Sequence, residues 1–125
     1  MTTLLDPLRL QADALGADRV EHQPDAIVMH FGAATITATI EHREVKRRSH
    51  TRIEHDLRLL LSFRGHRLTT DGLCGLSPLK LRVRQICENL IVSQISLEER
   101  QSFIAGLPRS WAEPLYHYLP PEMRP

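Results

Sequence analysis

The chain has little of several features that define whole classes of protein. Its 125 residues contain only two cysteines, Cys74 and Cys87. Two cysteines are too few for a disulfide scaffold and favour a reducing compartment. No apolar run approaches the ~20 residues that a membrane helix needs, and the first residues lack the cationic start and apolar core of a secretory signal. We therefore expect a soluble, cytoplasmic protein with no membrane contact.

The chain also has no large excess of charge of one sign, and it has few aromatic rings. With 16 Lys+Arg against 15 Asp+Glu, the formal net charge is +1, so any electrostatic attraction to nucleic acid must be local. Three Phe, two Tyr and one Trp leave few rings to stack on unpaired bases. The length and the hydrophobic fraction of 42% predict one domain, residues 1–125, with a single core.

Motifs for catalysis or cofactor binding are missing as well. The chain has no phosphate loop and no Gly-x-Ser-x-Gly elbow. Cys74 lies in a glycine-flanked turn where no activating base can be placed, and Cys87 falls in an apolar helical stripe typical of a buried free thiol. We therefore predict a protein that is not an enzyme, has no catalytic residues and needs no cofactor.

Seven histidines raise the question of a metal site. His42 and His55 are in phase with the apolar side of two predicted strands, so we expect them close together at the edge of the core. Two imidazoles alone lack a third and a fourth ligand, and the sequence therefore predicts no metal site. A proton-linked switch is the alternative role for these histidines, because histidine titrates near neutral pH, but nothing in the sequence requires it.

The most informative feature that is present is alternation. From Thr51 to Arg64, apolar residues hold most of every second position and charged residues most of those between, as in a strand with one wet face. Residues 26–31 and 34–43 alternate too, and Gly32-Ala33 suits a two-residue type II′ turn. These three segments predict a three-stranded antiparallel meander, with residues 17–25 and 44–50 as loops. Residues 66–69 are compatible with a fourth short strand.

Helices are predicted on both sides of the strands. A short first helix begins at Asp6-Pro7 and stops at Gly16. A second runs from residue 77 to about 93, a capping box at Ser96–Glu99 begins a third, and a last one begins at residue 110 or 114. Residues 120–125 form an extended tail. The predicted class is α+β, with the C-terminal helices covering one face of the sheet.

Two surfaces are candidate binding sites. One combines the second apolar side of helix 77–93 with the aromatic C-terminal segment, and large apolar or amphipathic side chains of this kind suit protein interfaces. The structural alternative is that the segment packs on the core as a further layer. The residues are Leu81, Val92, Trp111, Tyr116 and Tyr118.

The other surface is a basic loop at a predicted hairpin tip, where four cations could contact phosphates. They are Lys46, Arg47, Arg48 and Arg52. The alternative is a solvated loop, partly neutralised by the acids that flank it. Near-neutral net charge favours a small regulatory or adaptor protein that binds another protein or itself as a homodimer. A nucleic-acid-binding accessory protein is the second hypothesis.

Overall fold

A β-hairpin centred on Gly32-Ala33 lies in the middle of the domain. The structure, a computed structural model, describes residues 5–70 and 78–125, apart from the side chain of Arg43. Strands β2 (Ile27–Phe31) and β3 (Ala34–Lys46) pair antiparallel, and Phe31 lies opposite Ala34. Gly32 has a φ of +58°, which a type II′ turn requires at its first central position. The predicted hairpin and its register are confirmed.

The described sheet has five strands, so the prediction of three was wrong. β1 (Arg19–His22), β2, β3, β4 (Thr51–Phe63) and β5 (His66–Thr70) form an antiparallel meander whose spatial order is the order along the chain. β1 lies within residues 17–25, which were predicted as a loop, and β5 occupies the segment compatible with a fourth strand. Both are short edge strands with few apolar residues, and their pattern is weak for that reason.

β3 is longer than the predicted segment 34–43, whereas β4 agrees with the predicted segment 51–64 to within one residue. β3 and β4 each have 13 residues, and they stay paired from Ala34–Phe63 to Lys46–Thr51. The loop predicted over residues 44–50 is therefore reduced to residues 47–50, where the amide of Arg47 donates to the carbonyl of His50 at 2.8 Å. The β4–β5 turn uses Arg64 and Gly65, both at positive φ.

Helices pack on one face of this sheet, as predicted. They are α1 (Asp6–Asp13), α2 (Leu79–Ser93), α3 (Leu97–Ala105) and the single turn α4 (Arg109–Ala112). The capping box that begins α3 is confirmed, since Ser96 and Glu99 each bond the other's backbone amide. The side chain of Gln11 accepts from the amide of Leu79 at 2.8 Å and so satisfies a free donor at the start of α2.

The core lies between the helices and the inward side of β2, β3 and β4. Trp111 packs edge-on against Phe31, with ring centroids 5.5 Å apart, and its indole N–H donates to the carbonyl of Leu15 at 3.0 Å. A Cβ placed on Gly32 would lie 3.0 Å from the Cα of Gly106. This close backbone approach explains a glycine at both positions.

The C-terminal segment returns onto the domain. Residues Glu113–Tyr118 form a 3-10 helix directly after α4, and Leu115 is buried. Residues 120–125 were predicted as an extended tail, but Pro121–Met123 form a further 3-10 turn. The side chain of Gln101 donates to the carbonyl of Met123 at 3.2 Å, which holds that turn against α3.

Candidate functional site

A two-stranded β-ribbon projects from the sheet. β2 pairs with β3 only as far as Ala38, and in the described residues β5 pairs with β4 only as far as Leu59. Beyond the pair Ile40–Leu57, none of the described side chains of residues 42–55 is buried. We call residues 42–55 the arm. Five paired positions on each strand give it a length of about 17 Å before its loop.

The end of the arm is strongly cationic. Residues 45–52, which we call the tip, contain Lys46, Arg47, Arg48 and Arg52 and no carboxylate. All four cationic side chains are exposed, and among the described residues no ion pair involves any of them. The structure thus brings the four predicted cations together at the end of a projecting element.

Acidic residues lie nearer the sheet. Glu44 and Glu54 belong to the arm, two positions from Lys46 and Arg52 respectively. Glu41, just below the arm, pairs with Arg58 on β4 at 2.6 Å. Charge is therefore segregated along the ribbon, with cations at its end and mixed charge at its base. This segregation creates a local positive field on a chain whose net charge is only +1.

The base of the arm carries two histidines that contact each other. His42 and His55 are cross-strand partners, and their Nδ1 atoms are 2.7 Å apart. The rings are nearly perpendicular, with centroids 4.7 Å apart. The expectation that these two residues lie close together at the edge of the core is confirmed. Both side chains lie on the inward face of the sheet, but they are beyond Ile40–Leu57, the last pair on that face that the helices cover.

Ile53 shows the same effect. It has the inward phase of the buried leucines of β4, but its exposed fraction is 62% because it lies on the arm. Alternation alone marks a face of a strand and does not show where the covering layer ends. Sequence reasoning therefore missed the arm, and no periodic signal in residues 42–55 identifies it.

The helical candidate residues are divided between surface and core. Leu81 and Val92 on α2 are 56% and 62% exposed, and eleven residues, about three helical turns, place them on one stripe. Tyr116 and Tyr118 are half-buried. Trp111 is 2% exposed and presents almost no area to a partner. The C-terminal segment packs as a further layer of the core.

A pocket of about 550 Å³ lies between α3 and the C-terminal turns. Ile104, Leu107 and Leu119 supply apolar lining, and Arg109 and Arg124 are among its polar residues. Of the predicted residues, Tyr116 lines it. The other pocket residues were missed because they come together only when the last turns fold back.

One of the two cysteines lies in the part of the chain that the structure describes. Cys87 is buried and free, as expected, and burial raises the pKa of its thiol far above the usual value. A buried, protonated thiol is unreactive. Cys74 lies outside the described residues. Residues 5–70 and 78–125 contain no group of three or more His, Cys, Asp or Glu side chains that could hold a metal ion.

In the described part of the chain, no helix has both the length and the apolar character needed to cross a membrane. No protein-family model, curated protein or solved structure matches this chain.

Proposed function

We propose that this protein is a non-enzymatic binding protein that attaches to nucleic acid through the tip of its arm. The observation that carries the proposal is the cluster of four exposed cations at the end of a two-stranded ribbon. Within residues 5–70 and 78–125, none of the four forms an ion pair with a carboxylate. Lysine and arginine bind a phosphate backbone by displacing its condensed counterions. Cations that are not already in an ion pair give up no favourable contact when they bind phosphates.

The shape of the arm favours a duplex. A two-stranded β-ribbon is narrow enough to enter the major groove of B-DNA, which is about 12 Å wide. Residues 42–55 contain no Phe, Tyr or Trp, and single-strand binding depends on aromatic stacking as well as charge. The arm therefore has the means to contact phosphates along a groove and lacks a platform for unstacked bases.

Binding through the tip should be strongly salt-dependent. If its four cations each neutralise one phosphate, log affinity falls by about 3.6 for each unit of log salt concentration on duplex DNA. The arm's own acids, Glu44 and Glu54, limit the contact to its end because they repel phosphates. We expect about micromolar affinity at low salt and little sequence preference.

The test is fluorescence anisotropy with labelled duplex and single-stranded DNA over a series of salt concentrations. Arg47→Glu/Arg48→Glu should abolish the binding of the wild-type protein. The matched control is Lys80→Glu/Arg109→Glu, which makes the same change in net charge on exposed residues of α2 and α4. We expect the control to retain most of the binding, because the charge that matters is local.

Two results would contradict the proposal. One is no detectable binding of either nucleic acid at low salt. The other is an equal loss of affinity in the arm variant and in the control variant, which would mean that net charge alone is responsible. A higher affinity for single-stranded than for duplex DNA would contradict only the proposed contact with a groove, and it would still agree with nucleic-acid binding.

A second candidate function is the regulatory or adaptor role that acts by protein binding. The specific observation in its favour is the exposed stripe on α2, where Leu81 and Val92 are each more than half exposed. Because each side chain is already partly buried, covering the remainder in an interface is worth about 1–2 kcal/mol each. An apolar contact of this kind changes little with salt, so the salt series separates it from binding through the tip.

A further inference from the structure

The seven histidines differ in what their ring nitrogens contact. His22, His30 and His66 each bond a carboxylate oxygen, at 2.8, 2.9 and 2.9 Å. The other four contact a main-chain carbonyl, a hydroxyl or a second imidazole. Among the described residues, only His42 and His55 bring two ring nitrogens into contact. Both of these nitrogens are Nδ1 atoms.

The pair is held in place by the sheet. His42 and His55 lie directly opposite each other in the β3–β4 ladder, two positions beyond Ile40 and the buried Leu57. The backbone of both residues is therefore fixed by strand pairing. The rings themselves face solvent, since His42 is exposed and His55 half-buried. An ion can reach them without any change in the core.

The separation of the two nitrogens matches one coordination geometry better than another. With metal–nitrogen bonds of about 2.0 Å, two cis ligands of a square-planar ion lie about 2.8 Å apart, and two ligands of a tetrahedral ion lie about 3.3 Å apart. The observed distance is 2.7 Å. For a square-planar ion the two rings need only turn until both Nδ1 lone pairs point at the ion, whereas a tetrahedral ion also requires the two nitrogens to move apart.

We propose that His42 and His55 form a binding site for a divalent transition-metal ion that accepts square-planar geometry, Cu²⁺ above all. Cu²⁺ also binds nitrogen ligands more tightly than the other first-row divalent ions do. This site is independent of the nucleic-acid proposal and implies no catalysis. Because the described residues supply no third ligand from a His, Cys, Asp or Glu side chain, water or an external ligand completes the coordination.

Metal binding requires one proton to move. In the neutral pair, one Nδ1–H donates to the other Nδ1, which offers its lone pair. When both Nδ1 atoms bind the ion, the donor ring must carry its proton on Nε2 instead. The neutral pair therefore takes up a metal ion without net proton release. The next inward-facing residue along β3 towards the tip is Glu44, and its negative charge offsets part of the repulsion between the tip cations and a metal ion.

The site can be tested with Cu²⁺ alone. Untagged protein, stripped with a chelator and transferred to a non-coordinating buffer near neutral pH, is titrated with Cu²⁺ by calorimetry. We expect one Cu²⁺ ion to bind tightly to each chain, and Zn²⁺ to bind more weakly. The electron paramagnetic resonance spectrum of the Cu²⁺ complex should show two nitrogen donors. His42→Gln and His55→Gln should each reduce the Cu²⁺ affinity about tenfold or more, since even outer-shell partners act on that scale.

Matched controls are His22→Gln and His30→Gln, which remove surface histidines of neighbouring strands and should leave the affinity unchanged. Paramagnetic broadening of the wild-type amide resonances gives a readout that needs no variant, and it should centre on residues 42 and 55. Equal Cu²⁺ affinity in the His42→Gln/His55→Gln protein, broadening centred elsewhere, or a single nitrogen donor would overturn the proposal.

Discussion

Paired ionisable side chains are the main polar feature of the domain surface. His30 bonds Glu21 and lowers the pKa of that carboxyl, with help from Arg19. The pKa of Glu99 is lowered first by the amide of Ser96 and then by His66, which lies 33 residues away in the chain. The capping box could be recognised from its spacing. The histidine contacts could not, because they join residues distant in sequence.

Glu99 gives a pH prediction with a definite sign. Its pKa in the folded protein is below the usual value of 4.5, so its ionised form stabilises the fold at neutral pH. That contribution is lost as pH falls through the lowered pKa. Glu99→Gln should therefore lower the melting temperature at neutral pH and match the wild type in strong acid.

The control for this prediction is Glu98→Gln, which removes the same charge from the same first turn of α3 but leaves the cap intact. Thermal melts over a pH series give the comparison. If the two variants have the same melting temperature at every pH, the ionised carboxylate of Glu99 stabilises the fold no more than that of Glu98 does.

The strands illustrate how far a sequence pattern can be used. The β2–β3 hairpin could be predicted because Gly32 fixes the turn and the apolar residues fix the register. β1 was missed because only Val20 is apolar among its four residues. The end of β3 was missed because Glu44 and Lys46 occupy inward positions without apolar character. Pairing continues there without burial, and a hydrophobic pattern cannot detect it.

The boundary between the covered strand and the arm can be tested within β4. Leu59→Ala should reduce the free energy of unfolding by about 2–5 kcal/mol, because Leu59 is fully buried. Ile53→Ala, at a position of the same phase, should cost about 0.5 kcal/mol or less, because that side chain is 62% exposed. Denaturant melts measure both values. Similar losses would show that the helical layer covers the arm.

The domain as a unit has two separate surfaces. The arm projects from one end of β3 and β4. The stripe with Leu81 and Val92 lies on α2, whose opposite side packs on the sheet. If two copies associate through the stripe, the dimer presents two arms. Two linked weak phosphate contacts bind far more tightly than one, so self-association would strengthen attachment to a long polyanion.

We accordingly expect association through the stripe at high concentration. Analytical ultracentrifugation should give a mass above the 14.3 kDa of one chain, and Leu81→Glu/Val92→Glu should restore the monomer. Leu10→Glu is the control, because Leu10 is 75% exposed on α1 and outside the stripe. A wild-type protein that stays monomeric at every concentration would exclude the homodimer.

The contact between Trp111 and Leu15 has a consequence for folding kinetics. Each strand pairs with its neighbour along the chain, so the sheet can assemble by closing short loops. The indole, in contrast, bonds a carbonyl 96 residues away. Since the chain contains a single tryptophan, its fluorescence reports the docking of the C-terminal helices on the N-terminal segment. The indole is therefore an intrinsic fluorescent probe for the step that joins the two ends of the chain.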